Sequence, residues 1–174
     1  MCCLMGIEAE LFAAFILDFI LSVLPDLADS YQEAISSVLE NDFTMILLVV
    51  IVAPVLEELI FRFVILSLGR RFMSFKTANI LQAALFGIYH MNLVQGIYAF
   101  ILGYMIGLFR KYTGSVIPCI CFHVVFNISG LLVDDFMPAD INVVVKVLIM
   151  LVSLGAFVLT FMTLRKSGRE MQTA

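Results

Sequence analysis

The sequence predicts an all-α protein: a polytopic transmembrane bundle of about six helical spans with both termini cytoplasmic. Three observations carry that prediction. Of the 174 residues, 63% are hydrophobic and 14% charged, with a mean hydropathy of +1.09; a soluble domain is roughly half apolar and about a quarter charged. The apolar residues form long continuous runs rather than alternating, which selects helices over a β-barrel. Basic residues cluster at alternate connections, as in a chain that crosses repeatedly. So few polar side chains cannot cover a water-facing surface, and disorder would need low hydrophobicity and high net charge. A formal charge of −4 leaves no basic face, so nucleic acid is not an expected partner.

Six stretches supply the spans: Ile7 to Leu24, Phe43 to Leu68, Thr77 to Met91, Leu93 to Phe109, Val116 to Val133 and Ile141 to Leu164. A helix needs about 20 residues to cross the hydrocarbon core, so the second and sixth are comfortably long. The first carries Glu8, Glu10 and Asp18, which leaves two options, a crossing or an amphipathic helix in the interface. The third is short and holds Gln82 and His90, which suits a helix that runs into the next turn or lines a cavity. The fourth has a small-residue stripe, Gly96, Gly103 and Gly107; close helix packing explains it, with homo-oligomerisation as an alternative use. The connection Pro25 to Asp42 reads as an acidic loop, and Lys146 as a snorkelling residue near the outer end of the sixth span.

Eight of the ten Lys and Arg follow spans two, four and six: Arg70, Arg71 and Lys76, then Arg110 and Lys111, then Arg165, Lys166 and Arg169. The connections after spans one and five hold only acidic charges, among them Asp26, Asp29, Glu33, Asp134 and Asp140. The positive-inside rule therefore puts the even-numbered ends in the cytoplasm. No repeat or linker divides the chain, so residues 1–174 read as a single membrane domain. The N-terminal Met1-Cys2-Cys3-Leu4-Met5-Gly6 has no basic residue and no small-residue cleavage site, unlike a removed signal peptide. With no organelle signal, a bacterial plasma membrane is the expected location. Cys2 and Cys3 read as plain thiols rather than acylation sites, and Cys119, which shares a helical face with His123, as a packing residue rather than a metal ligand.

The chemistry lies in residues that lipid does not tolerate. An ionisable group at the bilayer centre costs roughly 2.5 to 3.5 kcal/mol on insertion scales, so each needs a partner, a cavity or a function. The second span contains Pro54-Val55-Leu56-Glu57-Glu58-Leu59-Ile60-Phe61-Arg62. Glu58 and Arg62 are i and i+4, stacked on one face, so an ion pair joins them. Glu57 sits about 100° round the helix without a partner in its own segment, and an unpaired carboxylate suits a general base. Pro54 removes a backbone hydrogen bond one turn earlier, which kinks the helix and admits water. Phe86 and His90 close the third span; His123 and Asn127, again i and i+4, share a face of the fifth. Converging on one hydrated cavity, Glu57, Glu58, His90, His123 and Asn127 would supply a base, a water-orienting group and oxyanion donors for amide hydrolysis. Glu57, His90 and His123 could equally be three ligands of a zinc ion, which leaves the cofactor open between none and Zn.

These segments resemble the CAAX prenyl endopeptidase and bacteriocin-processing (CPBP, or Abi) family of intramembrane proteases. The family motifs Glu-Glu-x-x-x-Arg, Phe-x-x-x-His and His-x-x-x-Asn stand here as Glu57-Glu58 to Arg62, Phe86 to His90 and His123 to Asn127, in order, on separate spans. The resemblance covers a catalytic core of roughly residues 43–133. It implies that Glu57 activates water with help from His90, that His123 and Asn127 stabilise the oxyanion, and that Glu58, Arg62 and Phe86 support the site. The substrate would be a prenylated or precursor peptide at the membrane, and a role in pheromone or bacteriocin processing would follow. Other intramembrane proteases fit worse: His-Glu-x-x-His is absent, no histidine follows the Ser129-Gly130 run as a rhomboid-like enzyme needs, and Gly-x-Gly-Asp is missing. The competing reading is a non-catalytic immunity or regulatory protein that binds a peptide in the same cavity. A transporter is weaker still, for want of a repeat or an extended polar path.

Overall fold

The computed structural model describes residues 1–39, 43–136 and 141–173. Seven helices make up this part: α1 Cys2–Val23, α2 Pro25–Leu39, α3 Phe43–Gly69, α4 Phe75–Tyr89, α5 Leu93–Thr113, α6 Ile117–Phe136 and α7 Val143–Thr173. There is no strand among the described residues. Each of the six apolar stretches is a helix, and α3, α5 and the Val143–Gly168 part of α7 are long and apolar enough to cross a membrane. The burial pattern is that of an integral membrane protein. Leu159, Phe19 and Phe72 are exposed, while Glu57, Glu58, Arg62, Asn79, Gln82 and His123 are buried. Lipid, unlike water, rewards that arrangement.

Local sequence sets the helix ends. Ser74 caps α4 by accepting from the Thr77 amide at 3.2 Å, and Asn92 caps α5 by accepting from Gln95 N at 3.1 Å. Gly114 ends α5 in the left-handed region, φ 68°, where a Cβ is disfavoured. Met91, between α4 and α5, takes a similar φ of 55° despite its side chain, so the turn that carries His90 stores backbone strain.

One finding departs from the sequence reading, and a second bears on the option that reading left open. Residues 25–39, read as an acidic loop, form the helix α2; Asn92 Nδ2 donates to the Ser30 carbonyl at 3.4 Å and ties it to the α4–α5 turn. Glu40, Asp42 and Asp140 lie outside the described residues. And α1 belongs inside the bundle rather than across its end. Gly6 meets the α6 backbone at Phe122 and Phe126, and the Glu10 carboxylate lies against Gly130, so α1 runs parallel to α6. Thr160 Oγ1 donates to Glu8 at 3.3 Å and Lys146 pairs with Asp18 at 2.9 Å, so α1 runs antiparallel to α7. Lys146 therefore pairs across helices.

The main core joins Met5 of α1, Leu102, Ile106 and Phe109 of α5, Cys119, Phe122 and Phe126 of α6 and Leu164 of α7. Cys119 is a packing residue, its thiol directed at the Ile106 and Ser115 carbonyls. At one end, Arg70 and Lys111 both lie over the Phe75 ring, 5.8 and 4.8 Å from its centroid, and Gly168 packs on Tyr112. The basic ends of α3, α5 and α7 thus share one end of the bundle.

The glycine stripe of α5 is used within the chain. A Cβ on Gly96 would come 2.9 Å from the Gly87 carbonyl oxygen, and one on Gly107 would collide with Asn79, so α4 and α5 approach backbone to backbone. Asn79 Nδ2 donates to the Tyr104 carbonyl at 3.0 Å, and Gln82 Nε2 to Asn79 Oδ1 and the Gly103 carbonyl, both at 2.9 Å. An apolar hollow on this α4–α5 face, lined by Ile80, Phe100, Ile101, Tyr104 and Met105, contains none of the motif residues.

Candidate functional site

The helix that carries Glu57 and Glu58 is not uniform. Leu48–Val52 and Leu59–Ile65 are wound as π-turns, with α-helical Ala53–Glu58 between them. Pro54 explains the first. The Ala53 amide donates to Leu48 O, five residues back, and Pro54 has no N–H, so the Val49 carbonyl loses both of its helical donors. Asn127 of α6 supplies the missing one, its Nδ2 donating to Val49 O at 3.3 Å. In the second π-turn the Leu66 amide donates to Phe61 O, and the Ser67 hydroxyl donates to the Arg62 carbonyl at 3.3 Å. Wide turns of this kind recur at functional sites. Here they flank the two carboxylates.

Between the π-turns the acidic pair divides. Glu58 Oε1 lies 2.9 Å from Arg62 Nη1, and both side chains are fully buried. The same oxygen lies 2.8 Å from Nδ1 of His123. With Glu58 Oε1 as the acceptor of this bond, Nδ1 is assigned as the donor, which leaves Nε2 as the acceptor in that tautomer. That Nε2 lies 3.7 Å from Oε2 of Glu57, whose side chain keeps 12% exposure against 4% for His123. Glu57 therefore has a neighbour from another helix.

Phe86 is the hub behind these residues. The Arg62 guanidinium carbon lies 4.5 Å from its ring centroid, and its ring meets those of His123, His90 and Phe61 edge-on at 5.7, 4.8 and 5.0 Å. Gly103 makes room for it: a Cβ there would lie 2.9 Å from Phe86 Cδ1 and 3.3 Å from Arg62 Nη2. Arg62 Nε and Nη2 and Glu58 Oε2 are buried with no hydrogen-bond partner among the described residues.

All seven motif residues are thus linked, in two ways. Glu57, Glu58, Arg62 and His123 make polar contacts with one another, Phe86 stacks on them, and Asn127 braces α3 from one turn further along α6. His90 joins only through the Phe86 ring, its Nδ1 bonded to the Phe86 carbonyl at 2.9 Å, which makes that nitrogen the donor. Among the described residues no three His, Cys, Asp or Glu side chains gather as a group that could hold a metal. Glu57, His90 and His123 as they stand do not fit a zinc ion.

The sequence profile of the type II CAAX prenyl endopeptidase Rce1-like family matches residues 39–129, just over half of the chain and every motif residue above. The chain belongs to this family. No curated protein and no solved structure gives a significant match. Membership makes this a chain of an intramembrane endopeptidase family, with membrane-borne peptides or prenylated proteins as the general substrate class. Within this Rce1-like chain, sequence spacing anticipated the Glu58–Arg62 pair. It gave no sign of the π-turns, of His123 bonding to Glu58, or of Tyr98, which packs on the Phe61–Phe86–Ala99 cluster.

Proposed function

We propose that the chain is an intramembrane endopeptidase that hydrolyses a prenylated or precursor peptide at the membrane, with water activated by Glu57. The observation that carries this reading is the Arg62–Glu58–His123 line, which holds the imidazole with Nε2 turned towards Glu57 across 3.7 Å. Two acceptors at that separation are too far apart for a direct hydrogen bond, and one water can donate to both. Such a water presents its lone pair outward as a nucleophile. Glu57 takes its proton as the oxygen bonds to the peptide carbonyl carbon, and the carbonyl π pair moves onto oxygen as an oxyanion. When the oxyanion collapses, the C–N bond breaks and the leaving amine takes the proton back from Glu57, giving a carboxylic acid and an amine. In this scheme His123 steadies water rather than the oxyanion. Asn127 has a second amide hydrogen to offer, the first being spent on Val49.

The test is cleavage of a farnesylated CAAX peptide and a panel of peptide precursors by the purified full chain, with and without a chelator. Glu57→Gln is expected to lower the rate about 10²- to 10⁴-fold with an unchanged thermal midpoint, since the amide keeps the shape and loses the basicity. Cleavage by wild type should survive chelation. A Glu57→Gln protein that cuts at the wild-type rate, or keeps its cellular phenotype, would support the non-catalytic peptide-binding alternative instead.

A further inference from the structure

The positive charge of the chain is gathered at one end. Of the ten Lys and Arg, Arg62 lies buried in the site and Lys146 pairs with Asp18, while the other eight follow α3, α5 and α7 at the basic end of the bundle. The stretches that carry them, 69–76, 109–117 and 164–174, hold one acidic side chain, that of Glu170. Crowded like charges repel, and an anionic partner relieves that repulsion.

One corner of this end is built from three helices. The Arg70 guanidinium of α3 and the Lys111 ammonium of α5 both lie over the ring of Phe75, the first residue of α4. The turn before it is compact: the Arg71 amide donates to the Leu68 carbonyl, and the Phe72 and Met73 amides donate to that of Gly69. Lys76 adds a cation to the first turn of α4, where no acid stands, although a helix N-terminus favours negative charge. Arg70, Arg71 and Lys76 are exposed and form no ion pair among the described residues.

Phe72 decides which kind of anion fits. It is 80% exposed amid these cations, four residues after the half-exposed Leu68. A soluble phosphate gains nothing from a bare phenyl ring. A phospholipid does, because its phosphate meets the cations while its chains lie along Phe72 and Leu68. The cytoplasmic leaflet, to which the charge pattern assigns this end, is the one that carries anionic lipid.

We propose that Arg70, Lys76 and Lys111, grouped about Phe75 with Phe72 beside them, bind the phosphate headgroup of an anionic phospholipid. The site lies at the tip of the helix that carries Glu57 and Glu58, and it stands independently of the endopeptidase reading.

The full chain, purified in neutral detergent, is titrated with phosphatidylglycerol, with phosphatidylcholine of the same chains and with inorganic phosphate. Binding is read as a rise in thermal midpoint. Phosphatidylglycerol should raise the midpoint to saturation, and the other two should leave it in place. Arg70→Gln/Lys111→Gln should weaken phosphatidylglycerol binding about 25-fold, at about fivefold per cation. Arg165→Gln/Lys166→Gln removes equal charge from α7 and should change binding less than about threefold. Phe72→Ser keeps every charge and should weaken it about tenfold. If Arg70→Gln/Lys111→Gln is unstable before lipid is added, Lys76→Gln carries the test, with a fivefold loss expected and wild-type affinity overturning the site. An equal response to phosphatidylcholine overturns the headgroup site, and saturation by inorganic phosphate overturns the lipid. An equal loss in the α7 variant overturns the corner in favour of diffuse charge.

Discussion

Between α4 and α5, Asn79 donates to the Tyr104 carbonyl and Gln82 donates to Asn79 Oδ1 and the Gly103 carbonyl, and of these buried amide atoms only Gln82 Oε1 is left without a partner among the described residues. Between α3 and α6, by contrast, Glu57 faces His123 across a gap too wide for a bond, and Arg62 and Glu58 keep unpaired atoms in a fully buried place. Both regions are polar and hidden from water. The first is neutral and nearly saturated, which is how interhelical hydrogen bonds hold a bundle. The second is charged and unsaturated, a costly arrangement that packing alone does not call for. The distinction separates glue from chemistry more reliably than polarity does.

Removing one partner at each kind of contact sharpens that distinction. Arg62→Met has the largest expected effect on stability, because it strands Glu58 as an uncompensated buried charge. A loss of about 3–5 kcal/mol follows from breaking such a pair, seen as a lower unfolding midpoint in detergent and accompanied by loss of cleavage. Gln82→Leu should cost less, about 0.6 to 1.7 kcal/mol for the lost interhelical bonds, and leave the cleavage rate within about twofold. A loss of cleavage in a well-folded Gln82→Leu protein would erase the contrast between the two regions. Asp18→Asn is the smallest change. Asp18 is 63% exposed and its partner Lys146 29%, so the pair is worth about 0.2–1 kcal/mol in water-like surroundings. Its effect on the thermal midpoint should fade as salt is raised.

Much of the fold was legible, because a continuous apolar run long enough for a bilayer has few structures open to it. The helix α2 was not: its run Pro25-Asp26-Leu27-Ala28-Asp29-Ser30 is too polar for a span, and it was judged only as the link between two. The site was half legible. A four-residue spacing announces that Glu58 can meet Arg62, since both belong to one helix. Nothing local tells His123 that its neighbour is 65 residues away, or Lys146 that Asp18 is 128 away. Asn127 shows the same limit: its position beside His123 suggested a donor for substrate, yet one of its hydrogens repairs a carbonyl that Pro54 and a π-turn had left without a donor.

Those wide turns have an evolutionary corollary. A π-turn amounts to one surplus residue in an otherwise regular helix. Deleting a single position within Leu59–Ile65 would tighten the coil to a regular helix and leave the segments on either side close to their present bearing. The same deletion in a regular stretch would swing everything downstream by roughly 100°. The surplus residue works as a shim, widening the coil between the acidic pair and the basic tip of the same helix without re-aiming either.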